Sequence, residues 1–431
     1  DWRLNHKTDI IPFQSRLMPP GCGLPIAKYR NEYRQSTMRI LFLTGRLPYP
    51  PTRGDRLRAY HFLRVLSQNH QITLLSFIGD DRETSQIGPL RPFCEDIQLI
   101  HRGQVQSTMT TGFNAWRSLP FQSLYYRSSV MQGAVDRLLL RRNIDAVYVH
   151  LFRMAQFVAG RTQPYRILDL TDAISTEIER SIPYRDPKWR MIYRMELPRI
   201  RRYEHEIVRH FDETWLISEA ERQQILQGES NDNVLVVPNG VDTARYRPSG
   251  LKVDEPTLIF VGHMGVLHNI DAAQYLVGDI LPLIQTAVPG TRLNLVGAEP
   301  APQVEGLAKA AGVRVLGHVA DLNAALNDAA IFVAPLRFAA GVQNKVLEAM
   351  AVGLPVVTTT YVNNGLLAEN GRHLLVADDP EQFADAVIRL LKDARLRHAL
   401  GRDGRTFVMQ RYRWEDVLER MNSIEDRIKR H

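Results

Sequence analysis

Short apolar runs rich in β-branched residues recur along the chain, alternating with stretches whose apolar positions repeat every three or four residues. The runs predict strands at 39–44, 71–77, 97–101, 145–149, 166–170, 213–217 and 234–237. After a polar, proline-flanked stretch, Pro248–Pro256, they resume at 257–261, 292–297, 313–316, 330–335 and 355–359. Between them, Arg56–Gln68, Ile270–Thr286 and Pro380–Leu391 carry the i, i+3, i+4 spacing of helices buried along one face. Nearly continuous apolar strands, each followed by a helix, predict parallel sheets covered on both faces. Two such series split near residue 250 predict an α/β protein of two doubly wound, Rossmann-like domains facing each other.

The 431 residues, 44% hydrophobic and 23% charged, argue against wholesale disorder and a multi-span membrane protein. No uncharged apolar run approaches the length of a membrane span. Cys22 and Cys94 make neither a disulfide framework nor a CxxC metal site, which fits a reducing cytoplasm. Residues 1–37 lack periodicity, and Met38 directly precedes the first strand. That stretch is expected to be a non-native or disordered extension, with a regulatory arm as the alternative.

The net charge of +7 divides unevenly: +3 in residues 1–37, +6 in 38–251 and −2 in 252–431. A basic half points to an anionic partner, or to nothing more than arginine-rich codon usage. The segment Tyr184–Phe211 predicts one long helix, kinked or interrupted at Pro198, with aromatics and with basic Arg190, Arg194, Arg199, Arg201, Arg202 and Arg209. It reads either as an amphipathic helix for an anionic bilayer or as a packed helix with a solvated face.

In open α/β sheets ligands sit at the carboxyl ends of strands, so the loops there hold the candidate chemistry. The first strand leads into Gly45–Asp55, where Gly54 lets a helix N-terminus approach a phosphate. The loop is neither GxGxxG nor a P-loop. Strand 257–261 ends in Gly262-His263-Met264-Gly265-Val266-Leu267-His268-Asn269, again a glycine turn with imidazole donors nearby. His263 and His268 lack further ligands at metal spacing, so no metal is expected. The densest stretch is Ala334-Pro335-Leu336-Arg337-Phe338-Ala339-Ala340-Gly341-Val342-Gln343-Asn344-Lys345-Val346-Leu347-Glu348. Loop amides and a helix dipole would hold a diphosphate there, Lys345 would add a positive charge, and Glu348 would accept from a ribose diol. Taken alone, Glu348 could be a surface carboxylate.

These motifs resemble GT-B glycosyltransferases of the retaining family 4, group 1 type, most nearly bacterial exopolysaccharide (PEP-CTERM/EpsH1-associated) sugar transferases. Further landmarks are Val237-Pro238-Asn239-Gly240-Val241-Asp242, Phe260–Met264, Gly365-Leu366 and Tyr412-Arg413-Trp414. The resemblance runs from about Met38 to Trp414. It implies an acceptor-side domain at 38–250, a nucleotide-sugar domain at 251–405, and a terminal helix, 406–431, packing back on the first. It further implies that Glu348 binds ribose, that Gly341, Val342 and Gln343 hold the pyrophosphate, and that Ala340 replaces a sugar-contacting glutamate. Charge neutralisation would fall to Lys345 or Arg337, with His263 and His268 where a basic pair is usual. His150 would reach the donor sugar, Gly54 the phosphate, and Arg53, Asp55 and Asp172 the acceptor. Read without the resemblance, His150 could be structural and Asp172 a helix cap.

The expected reaction moves a sugar with retention from a nucleotide sugar, a UDP-sugar by preference, to a saccharide or polyprenyl-linked acceptor. No Asp-x-Asp occurs, so no metal or other cofactor is expected, and no RNA-binding motif points to nucleic acid. The expected location is cytoplasmic, extending to peripheral contact with the anionic inner face of the plasma membrane. The alternatives are a GT-B nucleotide-sugar 2-epimerase and a non-catalytic nucleotide-sugar sensor or scaffold.

Overall fold

The computed structural model describes residues 37–51, 54–103, 118–250, 255–338, 341–419 and 427–428. Arg53, Ala340, residues 1–36 of the expected extension and most of the chain after Glu419 lie outside the described residues.

Strands form where the apolar runs predicted them. The first series comprises β1 (Arg39–Thr44), β2 (Gln71–Ile78), β3 (Asp96–His101), β4 (Ala146–His150), β5 (Tyr165–Thr171), β6 (Glu213–Leu216) and β7 (Val234–Val236). The second comprises β8 (Thr257–Val261), β9 (Arg292–Val296), β10 (Val313–Gly317), β11 (Ile331–Ala334), β12 (Val356–Thr358) and β13 (Leu375–Val376). Among the described residues they build one sheet in the order β3-β2-β1-β4-β5-β6-β7 and another in the order β10-β9-β8-β11-β12-β13. Pairing is parallel, as in β1 with β2 and β4, and in β8 with β9 and β11. Every residue of β4, β5, β8 and β11 is buried, which is why these strands read as unbroken apolar runs.

Strand order reverses between β1 and β4 in one sheet and between β8 and β11 in the other. A crevice opens at the carboxyl ends of strands at such a reversal. Gly45 and His150 follow or end the first pair, and Gly262 and the 335–343 loop follow the second. The chain leaves β4 and β5 through Leu151 (φ +70°) and Thr171 (φ +65°). A left-handed backbone costs a non-glycine residue about 1–3 kcal/mol. At these two exits it sets the directions of His150 and Asp172.

The described residues pack as two compact units, one within 37–169 and 207–213, the other within 170–206 and 214–428. The sequence break near 250 differs from this division because Ile217, Val241 and Tyr246 join the apolar core of β8–β13. The boundary read at 405 falls inside the helix Ala394–Arg411. After that helix, Tyr412 O accepts from Val241 N at 2.7 Å, and a Cβ on Gly240 would lie 2.5 Å from the Trp414 ring. The Pro238-Asn239-Gly240-Val241 signature and the closing aromatic segment are therefore one contact.

The long basic helix spans Pro187–Ile207 and runs through Pro198. Its Ile200 packs with Ile178 and Ile182, while Trp189, Met191 and Met195 are 50%, 63% and 63% exposed. The helix read at 270–286 is interrupted by a π-turn, Leu276–Ile280, just before Pro282. A proline lacks the N–H and crowds the carbonyl four residues back, and a widened turn relieves both.

Candidate active site

In the first unit, Asp169 of β5 is fully buried. It accepts from Arg58 Nε at 2.7 and 3.0 Å and from the Tyr148 hydroxyl. Burial pushes its carboxyl up, but the Arg58 guanidinium and the neighbouring His150 imidazole outweigh this and hold it below the usual carboxylate range. The Tyr148 phenol, buried against Asp169, is pushed well above its ordinary value. His150 Nδ1 lies 3.7 Å from Asp169 Oδ2, and Nε2 lies 3.0 Å from the backbone oxygen of Asp55. The ring is thus held between a buried carboxylate and the first turn of the helix Gly54–Asn69.

Beside it opens a small hollow that Asp55, His150, Arg46, Arg56, Arg153 and Tyr126 line. Three guanidinium groups make it anion-seeking. Burial alone would raise the Tyr126 phenol, yet Arg153, Arg46 and Arg102 bring it below its ordinary value. The arginines were not singled out in the sequence, where each is one among many. A Cβ on Gly54 would meet nothing within 4 Å, whereas one on Gly45 would lie 3.0 Å from the Tyr126 ring. A Cβ at 45 would thus press on the Tyr126 ring, and at 54 glycine leaves open space at the helix start.

In the second unit, Gly262 is glycine because a Cβ would lie 2.7 Å from the Asn269 side chain. Asn269 is buried. Its Nδ2 donates to His263 O at 3.0 Å, and its Oδ1 accepts from Lys345 Nζ. This asparagine joins the loop after β8 to the helix Asn344–Ala351, and sequence reasoning missed it. Burial lowers the Lys345 ammonium to about 7, against the opposing pull of Glu348. Burial raises Glu348 to about 7, with Tyr246, Arg245 and Lys345 each drawing it back. Tyr246, hydrogen-bonded to Glu348 and raised well above its ordinary value by burial, is a second partner the sequence did not disclose. Asn239 of the linker signature donates to Asn344 Oδ1 at 2.9 Å and ties the linker to the start of the helix.

Three sequence expectations are redistributed. Arg337 donates from Nε and Nη2 to Asp271 and lies over the Tyr184 and Tyr275 rings, so its charge is already matched. Burial and the Lys345 charge lower the His268 imidazole to about 3, which leaves it neutral near pH 7. His263 Nε2 lies 3.4 Å from the exposed Glu299 carboxylate. Of the expected cationic candidates in this unit, Lys345 is the one at the helix start. Among the described residues no three His, Cys, Asp or Glu side chains gather as metal ligands.

Gly341 has φ +64°, and a Cβ there would lie 2.0 Å from Asp172 Oδ1 and 3.0 Å from Ile217. On the other side, a Cβ on Gly365 would lie 2.5 Å from the Gly341 carbonyl oxygen. The loop is pinned between them. Its Val342 is buried, and Gln343 is the residue preceding the helix Asn344–Ala351.

Two parallel α/β sheets, with a glycine-pinned loop leading into a helix that carries Lys345 and Glu348, have the GT-B architecture. Residues 255–393 match the family model described as glycosyl transferases group 1. A D-inositol 3-phosphate glycosyltransferase of Acidothermus cellulolyticus is 29% identical over 48% of this chain. The chain spans half of that relative's length. A 44.6 kDa protein in the cps region of Klebsiella pneumoniae is 20% identical over 87% of this chain and 96% of its own. Among solved structures, sucrose-phosphate synthase of Thermosynechococcus elongatus superposes with a TM-score of 0.67 at 15% identity, covering 91% of this chain and 99% of that one. Anabaena HepE in complex with UDP gives 0.66 at 13% identity, covering 90% and 99%. Residues 255–393 thus match the group 1 glycosyl transferases, and the chain shares the GT-B fold of these solved structures.

Proposed function

We propose that the protein transfers a sugar with retention of configuration from a nucleotide sugar, a UDP-sugar by preference, to a saccharide or lipid-linked acceptor in bacterial exopolysaccharide synthesis. The observation that carries this reading is the Lys345–Glu348 pair behind the Gly341–Gln343 loop. An ammonium at Lys345 would neutralise charge that builds on the leaving diphosphate, inside a site where burial strengthens the interaction. Glu348, held by Tyr246, would accept from the ribose hydroxyls. In the first unit, the arginine-lined pocket beside His150 would take sugar hydroxyls and anionic groups. The reading includes no metal and assigns the charge neutralisation to Lys345 and the loop amides.

HepE has been solved with UDP and with UDP-glucose, which supports a uridine donor. The cps-region relative supports a role in polysaccharide assembly. A lipid-linked acceptor at the inner face of an anionic membrane is supported by the exposed Trp189, Met191 and Met195 among Lys188, Arg194 and Arg202. No helix among the described residues is long and apolar enough to cross a membrane.

The test is a panel of nucleotide sugars assayed for hydrolysis and transfer. Turnover of one donor that is lost in Lys345→Ala and Glu348→Ala is expected. Full turnover in both variants would refute the nucleotide site, binding without turnover would identify a sensor, and a 2-epimerised free sugar would identify an epimerase.

A further inference from the structure

Three carboxyl groups from separate segments gather under the Gly341 loop: Asp172 after β5, Glu204 on the helix Pro187–Ile207, and Glu221 in the first turn of the helix Glu219–Leu226. Glu204 has a structural task. Its oxygens accept from Ser175 N at 3.2 and 3.3 Å, at the start of the helix Ile174–Ser181. Glu221 has none of this kind. Ser218 already caps its helix, the Ser218 hydroxyl accepting from Glu221 N at 3.4 Å. The Glu221 side chain is 5% exposed, neither carboxyl oxygen completes a well-formed hydrogen bond, and it faces Asp172 and the Gly341 amide.

Asp172 lies against the loop at Gly341. Its Oδ1 lies 2.0 Å from where a Cβ of residue 341 would be, so glycine alone admits the carboxylate, and Thr171 at φ +65° directs it there. Two ionised carboxylates beside a diphosphate would repel it. Burial and the Asp172 charge push the Glu221 carboxyl well above its usual range, with Glu204 adding to this and Arg180 opposing it. The shift favours the neutral form of Glu221, whose hydroxyl can then back the Asp172 carboxylate. Such an edge suits hydroxyl groups rather than phosphate oxygens. In a ligand whose diphosphate lies on Gly341–Gln343, the next group is the sugar.

We infer that Asp172, positioned by Glu221, forms the hydroxyl-reading edge of the donor-sugar subsite. The inference rests on the nucleotide-site reading above, and it moves Asp172 from the acceptor to the donor. Asp172 contacts the sugar. Glu221 acts through Asp172 and is a positioning residue.

The experiment is calorimetric titration of the full chain with UDP, UDP-glucose, GDP and GDP-mannose, without acceptor, with the Tm of each variant recorded alongside. Asp172→Asn and Glu221→Ala are expected to weaken the sugar nucleotide that wild type binds by roughly tenfold or more. The parent diphosphate should stay within about twofold, the contrast expected when one hydrogen bond to the sugar is lost. Glu221→Gln keeps a neutral donor and should bind as wild type does. Equal weakening of diphosphate and sugar nucleotide, weakening of neither, or a defect confined to transfer would overturn the inference. Wild-type protein that binds no diphosphate and no sugar nucleotide would instead refute the nucleotide site itself, and the inference with it.

Discussion

Lys345 and Glu348 stand one turn apart on a single helix, and burial drives them to the same place from opposite sides, the lysine down to about 7 and the glutamate up to about 7. Residues three apart on a helix are neighbours, so each ionised form supports the other. The pair therefore carries little net charge near pH 7, and a small change in surroundings decides its state.

A diphosphate beside Lys345 favours the ammonium and raises its pKa above about 7. Binding should therefore draw in a proton above pH 7, and affinity should fall as pH rises from about 7 toward the lysine's pKa in the complex. Titrations of UDP in buffers of differing ionisation heat measure the uptake. Lys345→Met should abolish it and weaken UDP by about 10- to 100-fold, the worth of one charge-assisted hydrogen bond.

Tyr246 donates to Glu348 and pulls its carboxyl down from where burial alone would leave it. Tyr246→Phe removes that pull, so Glu348 ionises at higher pH and the acid limb of donor binding moves upward. KM for the donor should rise by roughly three- to tenfold for one lost hydrogen bond, with kcat little changed. A pH series of steady-state kinetics checks both signs.

The Arg58–Asp169 pair is a stability element. Removing the carboxylate leaves a fully buried guanidinium without it, so Asp169→Ala should destabilise the first unit by about 3–5 kcal/mol. The folded pKa of Asp169 lies below its unfolded value of about 3.9. Its contribution is therefore present above that value and is lost as pH falls through the folded one. The gap in Tm between wild type and Asp169→Asn should be steady from about pH 5 to 8 and shrink below about pH 4, as thermal scans would reveal.

Trp189, Met191 and Met195 tested together as Trp189→Ala/Met191→Ser/Met195→Ser should lose binding to phosphatidylglycerol-rich vesicles by roughly tenfold or more, given about 1.5–3 kcal/mol for fully burying each large apolar side chain. Donor hydrolysis in solution should be unchanged. Equal co-sedimentation of the variant and wild type would rule out this face as the membrane contact.

Strand positions were legible because β1, β4, β5, β8 and β11 are buried on both faces and therefore read as continuous apolar runs. β13 was not, since Leu375–Val376 is too short for any period to register. The 335–348 stretch was legible as chemistry because its loop and helix residues are contiguous. Partners brought in by folding were not. Tyr246 lies 102 positions before Glu348, and nothing in the sequence links Asn269 to Lys345 or Asp271 to Arg337. His268 illustrates the same limit, because a histidine's charge depends on burial that a sequence does not display. Glu221 looked like one acid in a polar turn until the loop above it was placed.

The stretch that matches the family model, 255–393, contains Lys345 and Glu348, but Tyr246, Asn239 and Asp172 all precede it. Inheritance of the two sets can therefore diverge. A chimaera exchanging only 255–393 between relatives would carry Lys345 and Glu348 to the new host, while that host's own side chains would flank them. The donor taken by such a hybrid would be decided as much by the recipient as by the transplanted segment.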